Sequence, residues 1–146
     1  MNKIIQLFLV KFLIILSQVN AQKIEYINSS ESKKKNYPFS EATIVNDIIY
    51  LSGQIGTLDN GKLIEGGIKT ETRQTMINIR SILEKNGSSL DKVFKCTCML
   101  ADIKDWKDMS SEYRTFFKKK LPARSAFAGS GLALKARVEI ECWAIK

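Results

Sequence analysis

The segment Ala136-Arg137-Val138-Glu139-Ile140-Glu141-Cys142-Trp143-Ala144-Ile145 alternates without a break. Val138, Ile140, Cys142 and Ala144 fall on one side, and Arg137, Glu139, Glu141 and Trp143 on the other. A period of two is the pattern of a strand with one buried face. The second face carries charges beside a tryptophan, which predicts a subunit interface that holds polar groups, and so an oligomer.

Working outward, Gly129-Ser130-Gly131 separates this strand from another, Arg124 to Ala128. That strand follows Leu121-Pro122-Ala123-Arg124-Ser125, where a proline-stiffened turn delivers one arginine to the strand start. An arginine held this way can grip a small carboxylate with its planar fork, and a nearby Glu can order or activate a water. Further upstream, Asp105 is expected to cap a helix whose Trp106, Met109, Tyr113, Phe116 and Phe117 form one apolar stripe, read as core. Leu90 to Ala101 reads as a strand. Ile68 to Asn86 reads as a helix, with Thr72, Met76, Ile79 and Leu83 at helical spacing and Gly87 as its stop.

Gly56 to Gly67 reads as a loop with its own turn at Asp59-Asn60-Gly61. Glu41 to Val45 and Ile48 to Gly53 form a hairpin around Asn46-Asp47. Ser29 to Asn36 is a polar, lysine-rich loop, and Lys23 to Asn28 is a first strand. The order β-β-β-α-β-α-β-β predicts an α+β sandwich: a mixed β-sheet with two helices on one face.

The first residues do not belong to that domain. Met1-Asn2-Lys3 is a short basic start, Ile4 to Leu16 is almost wholly apolar, split by Lys11, and Val19-Asn20-Ala21 is a small-x-small pattern. Residues 1–21 are expected to be a signal peptide, with an uncleaved anchor as the alternative, and residues 22–146 a single domain. The protein is accordingly expected to be exported, to the periplasm or the medium, with no stable membrane anchor after cleavage.

The chain carries 23 basic and 15 acidic residues, a net charge of +8. Its lysine runs, Lys33-Lys34-Lys35 and Lys118-Lys119-Lys120, have no interleaved aromatic residues, so nucleic acid is not an expected partner. There is no histidine, which excludes Ser-His-Asp and Cys-His catalysis and His-based metal sites. Cys96 and Cys98 share a strand face and are badly placed to bond to each other. All three cysteines, Cys142 included, are expected to be buried, inert thiols.

Six stretches in register carry a family resemblance: Pro38-Phe39-Ser40-Glu41-Ala42, Leu51-Ser52-Gly53-Gln54-Ile55-Gly56, Thr72-Arg73-Gln74-Thr75-Met76-Ile77-Asn78-Ile79, Tyr113-Arg114-Thr115-Phe116-Phe117, Pro122-Ala123-Arg124-Ser125 and Val138-Glu139-Ile140-Glu141. Together, over about residues 37–146, they resemble the Rid/YjgF family of reactive intermediate deaminases. The resemblance implies a chorismate-mutase-like α+β fold, a homotrimer with sites in clefts between subunits, and hydrolysis of 2-imino acids or their enamine tautomers to 2-oxo acids and ammonia. It implies no metal and no organic cofactor.

Arg124 matches the family's carboxylate-gripping arginine, and Glu139 its acidic residue at the attacking water. Gly53 matches a glycine that lets substrate approach the main chain, and the backbone of Ala126 would order the water. The family often has Tyr, Cys and Asn where Phe39, Ala126 and Ser110 stand. These departures bear on substrate range more than on Arg124. The rival readings are a Rid-fold protein that binds a small carboxylate or a partner without catalysis and, less favoured, an RNA-cleaving or translation-inhibiting relative.

Overall fold

The structure is a computed structural model and describes residues 23–146. The expected signal segment, residues 1–21, lies outside the described residues. Along the chain the elements are β1 (Ile24–Ile27), α1 (Ser30–Lys35), β2 (Ala42–Val45), β3 (Ile48–Leu51), α2 (Gly67–Lys85), β4 (Val93–Leu100), α3 (Trp106–Arg114), β5 (Ala123–Ala128) and β6 (Val138–Ile145). They form a six-stranded sheet in the order β1-β2-β3-β6-β4-β5. Every pairing is antiparallel except β4 with β5, which the α3 crossover makes parallel. This is the expected α+β architecture.

β6 is hydrogen-bonded on both sides, to β3 and β4. Its Val138, Ile140, Cys142 and Ala144 are wholly buried, at 0% exposure, as the alternation requires. The helices cover that face. α2 contributes Met76, Ile79 and Leu83 to the core, and α3 contributes Met109 and Tyr113, with Phe117 just beyond its end. The opposite face carries Tyr50, Phe94 and Trp143 in edge-to-face contact, with ring centroids 5.1 Å (Tyr50–Trp143) and 6.4 Å (Phe94–Trp143) apart.

Two ion pairs clip the helices to each other and to the sheet. Arg73 on α2 donates through Nε and Nη2 to the Glu112 carboxylate on α3, at 2.8 and 3.1 Å. Arg137, just before β6, donates to both oxygens of Asp105 at 2.9 and 2.6 Å, and its backbone N–H reaches Glu71 on α2 at 2.8 Å. Burial holds the Glu71 carboxyl above its ordinary range, opposed by that N–H and by the Arg137 charge.

Three local expectations are corrected. Asp105 precedes α3 but its side chain makes no capping hydrogen bond, because Arg137 occupies both oxygens. Ser29 to Asn36 is not a loop. The Ser29 hydroxyl accepts from the Ser32 N–H at 3.1 Å, three lysines sit in the last turn, and Asn36 takes a left-handed conformation at φ 50°, so α1 forms with favourable chemistry at both ends. The third correction concerns the cysteines. Cys96 and Cys142 are direct cross-strand partners with Cα atoms 4.1 Å apart, and they form a disulfide. Only Cys98 is a free buried thiol. Same-face spacing along β4 excluded the Cys96–Cys98 bond but said nothing about which residue of β6 lies opposite Cys96.

The disulfide closes a long loop, a sequence separation of 46, between the neighbouring strands β4 and β6. Double substitution of Cys96 and Cys142 by alanine should therefore lower unfolding stability by about 2–4 kcal/mol. A denaturation midpoint unchanged between the variant and the oxidised protein would show that the bridge contributes nothing.

Candidate functional site

Arg124 lies on β5 opposite Cys96 of β4, so its side chain leaves the sheet on the helical side. There α3 receives it. Its guanidinium carbon is 5.0 Å from the Tyr113 ring centroid and 5.6 Å from that of Trp106. Nη2 donates to Ser110 Oγ at 3.0 Å, and Nη1 lies 4.0 Å from Met109 Sδ. Aromatic faces hold an arginine without neutralising it, contributing about 0.5–1 kcal/mol at exposed sites. Among the described residues no carboxylate pairs with Arg124, whereas Arg73 and Arg137 are each taken by an acid. The fork is positioned, positively charged and only partly used.

Beneath it the site is apolar. Burial pushes the Cys98 thiol up to about 11, with the Arg124 charge pulling the other way. Such a thiol stays protonated and is a poor nucleophile. The Tyr113 hydroxyl is buried without a hydrogen-bond partner among the described residues, and burial raises it well above the ordinary tyrosine range. The Tyr113 ring, not its hydroxyl, is what Arg124 uses. Ala126 follows two residues along β5, opposite Cys98, so its side chain faces the same way.

Glu139 sits elsewhere. It alternates with Val138 and Ile140, which face the helices, so its carboxylate projects from the opposite face of the sheet. Burial raises its carboxyl above the ordinary glutamate range, and the like charge of Glu141, two residues on, raises it further. Gly53 lies against it: a Cβ there would overlap the Glu139 carboxylate. The strand-like bridge between Gln54 and Ile140, with both N–H to O=C bonds at 2.9 Å, sets that approach. Phe39 stacks on Tyr37, with ring centroids 5.3 Å apart. The Ser52 hydroxyl donates to the Ser40 carbonyl at 2.7 Å, which ties the Phe39–Ser40 turn to the Ser52–Gly53 step.

The fold thus holds the candidate residues in two separate groups. Arg124, Ser110 and Ala126 share the helical side of β5, while Gly53 and Glu139 meet between the end of β3 and the open side of β6. Within one chain the sheet separates Arg124 from Glu139. The aromatic cradle was missed by sequence reading. Trp106 was counted as core, yet it is 44% exposed and faces Arg124. The detectable signal was the β4–α3–β5 crossover, which lays the aromatic stripe of α3 beside β5.

Residues 30–146 match a family described as Endoribonuclease L-PSP. The chain belongs to this family, the Rid/YjgF proteins. Over 110 residues it is 39% identical to the human 2-iminobutanoate/2-iminopropanoate deaminase, covering 75% of this chain and 80% of that one. Protein HMF1 of Saccharomyces cerevisiae is 41% identical over 103 residues, 70% of this chain and 80% of the yeast protein. A solved Rid-family protein from Yersinia pestis superimposes with a TM-score of 0.79 at 34% identity, covering 85% of this chain and all of the other.

The Glu139–Glu141 pair on β6 has a direct electrostatic test. Glu141→Gln removes the neighbouring charge, so the Glu139 carboxyl should titrate at lower pH than in the parent, while burial still holds it above the ordinary glutamate range. Carbon-13 NMR of the side-chain carboxyls reads this. A Glu139 titration that does not move would mean that the Glu141 charge is screened from it.

Proposed function

We propose that this protein hydrolyses reactive 2-imino acids, or their enamine tautomers, to 2-oxo acids and ammonia. The carrying observation is the Arg124 guanidinium, held by Trp106, Tyr113 and Ser110 with no acid of its own. That is the arrangement a small carboxylate ligand needs. Kinship with the human 2-iminobutanoate/2-iminopropanoate deaminase supplies the reaction class.

In this reading Arg124 takes the substrate carboxylate through two N–H groups and so orients the C=N bond, a positioning role. Ser110 steadies the fork. A water held by Glu139 and the main chain at Ala126 adds to the imine carbon. Glu139 takes a proton from that water and passes it to the imine nitrogen. Glu139 then takes the hydroxyl proton of the resulting carbinolamine and gives it to the amine nitrogen as the C–N bond breaks, leaving the C=O group and ammonia. Nothing is oxidised or reduced, and the step calls for no metal or organic cofactor. Phe39 and Gly53 form the wall opposite the arginine. The raised Glu139 carboxyl suits a group that must accept a proton and give it back.

Because Arg124 and Glu139 leave opposite faces of one sheet, a complete site calls for two subunits, which supports a homotrimer with clefts between subunits. The aromatic cluster of Tyr50, Phe94 and Trp143 on the uncovered face supports the same assembly. The buried Cys96–Cys142 bridge supports export to an oxidising compartment, in keeping with the apolar N-terminal segment. A carboxylate-binding protein without catalysis shares the Arg124 observation and is the alternative. RNA cleavage fits less well, since the chain has no histidine to move protons.

Replacing Arg124 separates these readings. Arg124→Ala should lower kcat/KM for 2-iminobutanoate by about 10² to 10⁴, the loss of two charge-assisted hydrogen bonds. Arg124→Lys should recover only part, because it keeps the charge and loses the fork. The melting temperature should change little in either variant. Full activity in Arg124→Ala would end the role of Arg124 as the carboxylate grip, absence of ammonia release by the parent would end the deaminase reading, and carboxylate binding without ammonia release in the parent would leave the non-catalytic one. Light scattering on the protein lacking residues 1–21 should return about three times the protomer mass, and a monomer at micromolar concentration would remove the shared cleft.

A further inference from the structure

The two longest helices finish at the same end of the molecule. β4 and β5 run parallel, so α3, which joins them, runs back against both. Its last residue, Arg114, therefore stands at the end where β4 and β5 begin. α2 feeds β4 through the short stretch Asn86 to Lys92, which brings its last residue, Lys85, to that end as well.

The segments that close this end are rich in lysine. Lys85 ends α2, Lys92 lies in the turn Leu90–Lys92, and Lys118, Lys119 and Lys120 lie between α3 and β5. Two contacts bring these segments together. Lys119 Nζ stands 3.6 Å from the Asp91 carboxylate, and Lys92 Nζ donates to the Gly87 carbonyl at 3.4 Å. All five lysines are exposed. The acids beside them are Glu84 and Asp91, and Asp91 is taken by Lys119. Lys85, Lys92, Lys118 and Lys120 make no ion pair among the described residues.

Helix dipoles explain only part of this charge, because their attraction for a cation falls off within the last turn. Lys85 occupies that position on α2, but α3 ends at Arg114, and Lys118 to Lys120 lie beyond it in the connection to β5. Leu121 follows the run directly and is 54% exposed. The chemistry of the patch points to its partner. Lysines are compact point charges without the planar fork that reads a single phosphate or carboxylate in two-pronged geometry. No aromatic residue interleaves with them to stack on a base. Such a set answers a diffuse negative field, and an exposed leucine beside it answers a hydrocarbon boundary. A bilayer surface with anionic headgroups supplies both.

We propose that this lysine-rich end docks reversibly on an anionic bilayer surface, with the five lysines over the headgroups and Leu121 entering the interface. The association is peripheral. It calls for no membrane-spanning segment, and among the described residues no helix is long and apolar enough to cross a membrane.

The test is sedimentation of the full-length protein with two kinds of vesicle, phosphatidylcholine alone and phosphatidylcholine mixed in equal parts with phosphatidylglycerol, at low and high salt. The ratio of the two partition coefficients removes what the apolar N-terminal stretch contributes to both. The parent should favour the anionic vesicles by on the order of a hundredfold or more at low salt and far less at high salt. Replacing Lys118, Lys119 and Lys120 together by glutamine should lower that ratio by about fivefold per lysine removed. Leu121→Ser should weaken binding to the anionic vesicles at both salt concentrations, because salt does not screen the burial of an apolar side chain. All four positions are exposed and lie in a connecting segment, so the variants should fold as the parent does, which their melting temperatures check. Equal partition of the parent between the two vesicles, or a ratio that the triple variant leaves unchanged, overturns the proposal. Binding of a single-stranded RNA oligonucleotide that the triple variant abolishes, with no preference between vesicles, also overturns it and assigns the patch to nucleic acid.

Discussion

The pairing of β6 between β3 and β4 is the constraint from which the rest of the molecule follows. A central strand must satisfy every backbone group on both edges, and its buried face must match the helices residue for residue. Slipping the register by one would turn Glu139 and Glu141 into the core and expel Ile140 and Cys142. The helix-facing side chains of β6 leave no surface open to water, so that slip is closed off by the cost of burying two carboxylates. The register also places Cys142 opposite Cys96, and the disulfide then ties β6 to β4 covalently.

The arginines illustrate how the same side chain is put to different ends by its neighbours. Arg73 and Arg137 each meet a largely buried carboxylate in two-pronged geometry, Glu112 and Asp105, and bind helices to one another and to the sheet. Arg124 meets two aromatic faces and a serine. Aromatic rings orient a guanidinium while leaving its charge available, whereas a carboxylate would cancel it. The proposed function depends on that difference, since an arginine already paired has little to offer a ligand.

Much of the fold was legible in the chain because local periodicity and burial agree. The β6 alternation, the α2 stripe ending at Gly87, and the Asn46-Asp47 hairpin all have one reading, and each element stands within a few residues of its expected bounds. The misreadings came where a side chain had two competing partners. Asp105 has the chemistry of a helix cap but meets Arg137 from the distant segment leading into β6, and Trp106 continues an apolar stripe but faces Arg124. Neither partner is visible at helical or strand spacing. Ser29 to Asn36 was misread for the opposite reason: its lysines suggested a solvated loop, although a serine cap and a left-handed asparagine are enough to close one short helix.

By itself, then, the sequence determined the class of fold, the buried face of each long element and the identity of Arg124, Glu139 and Gly53 as candidates, because these depend on local periodicity and on motifs read in order. Tertiary structure alone decided which residues meet across the sheet: Cys96 with Cys142, Arg124 with Tyr113 and Trp106, Gly53 with Glu139. It also decided that Arg124 and Glu139 face apart. Side-chain direction in a strand follows parity along that strand, but the parity of one strand relative to another is set only when their backbones pair.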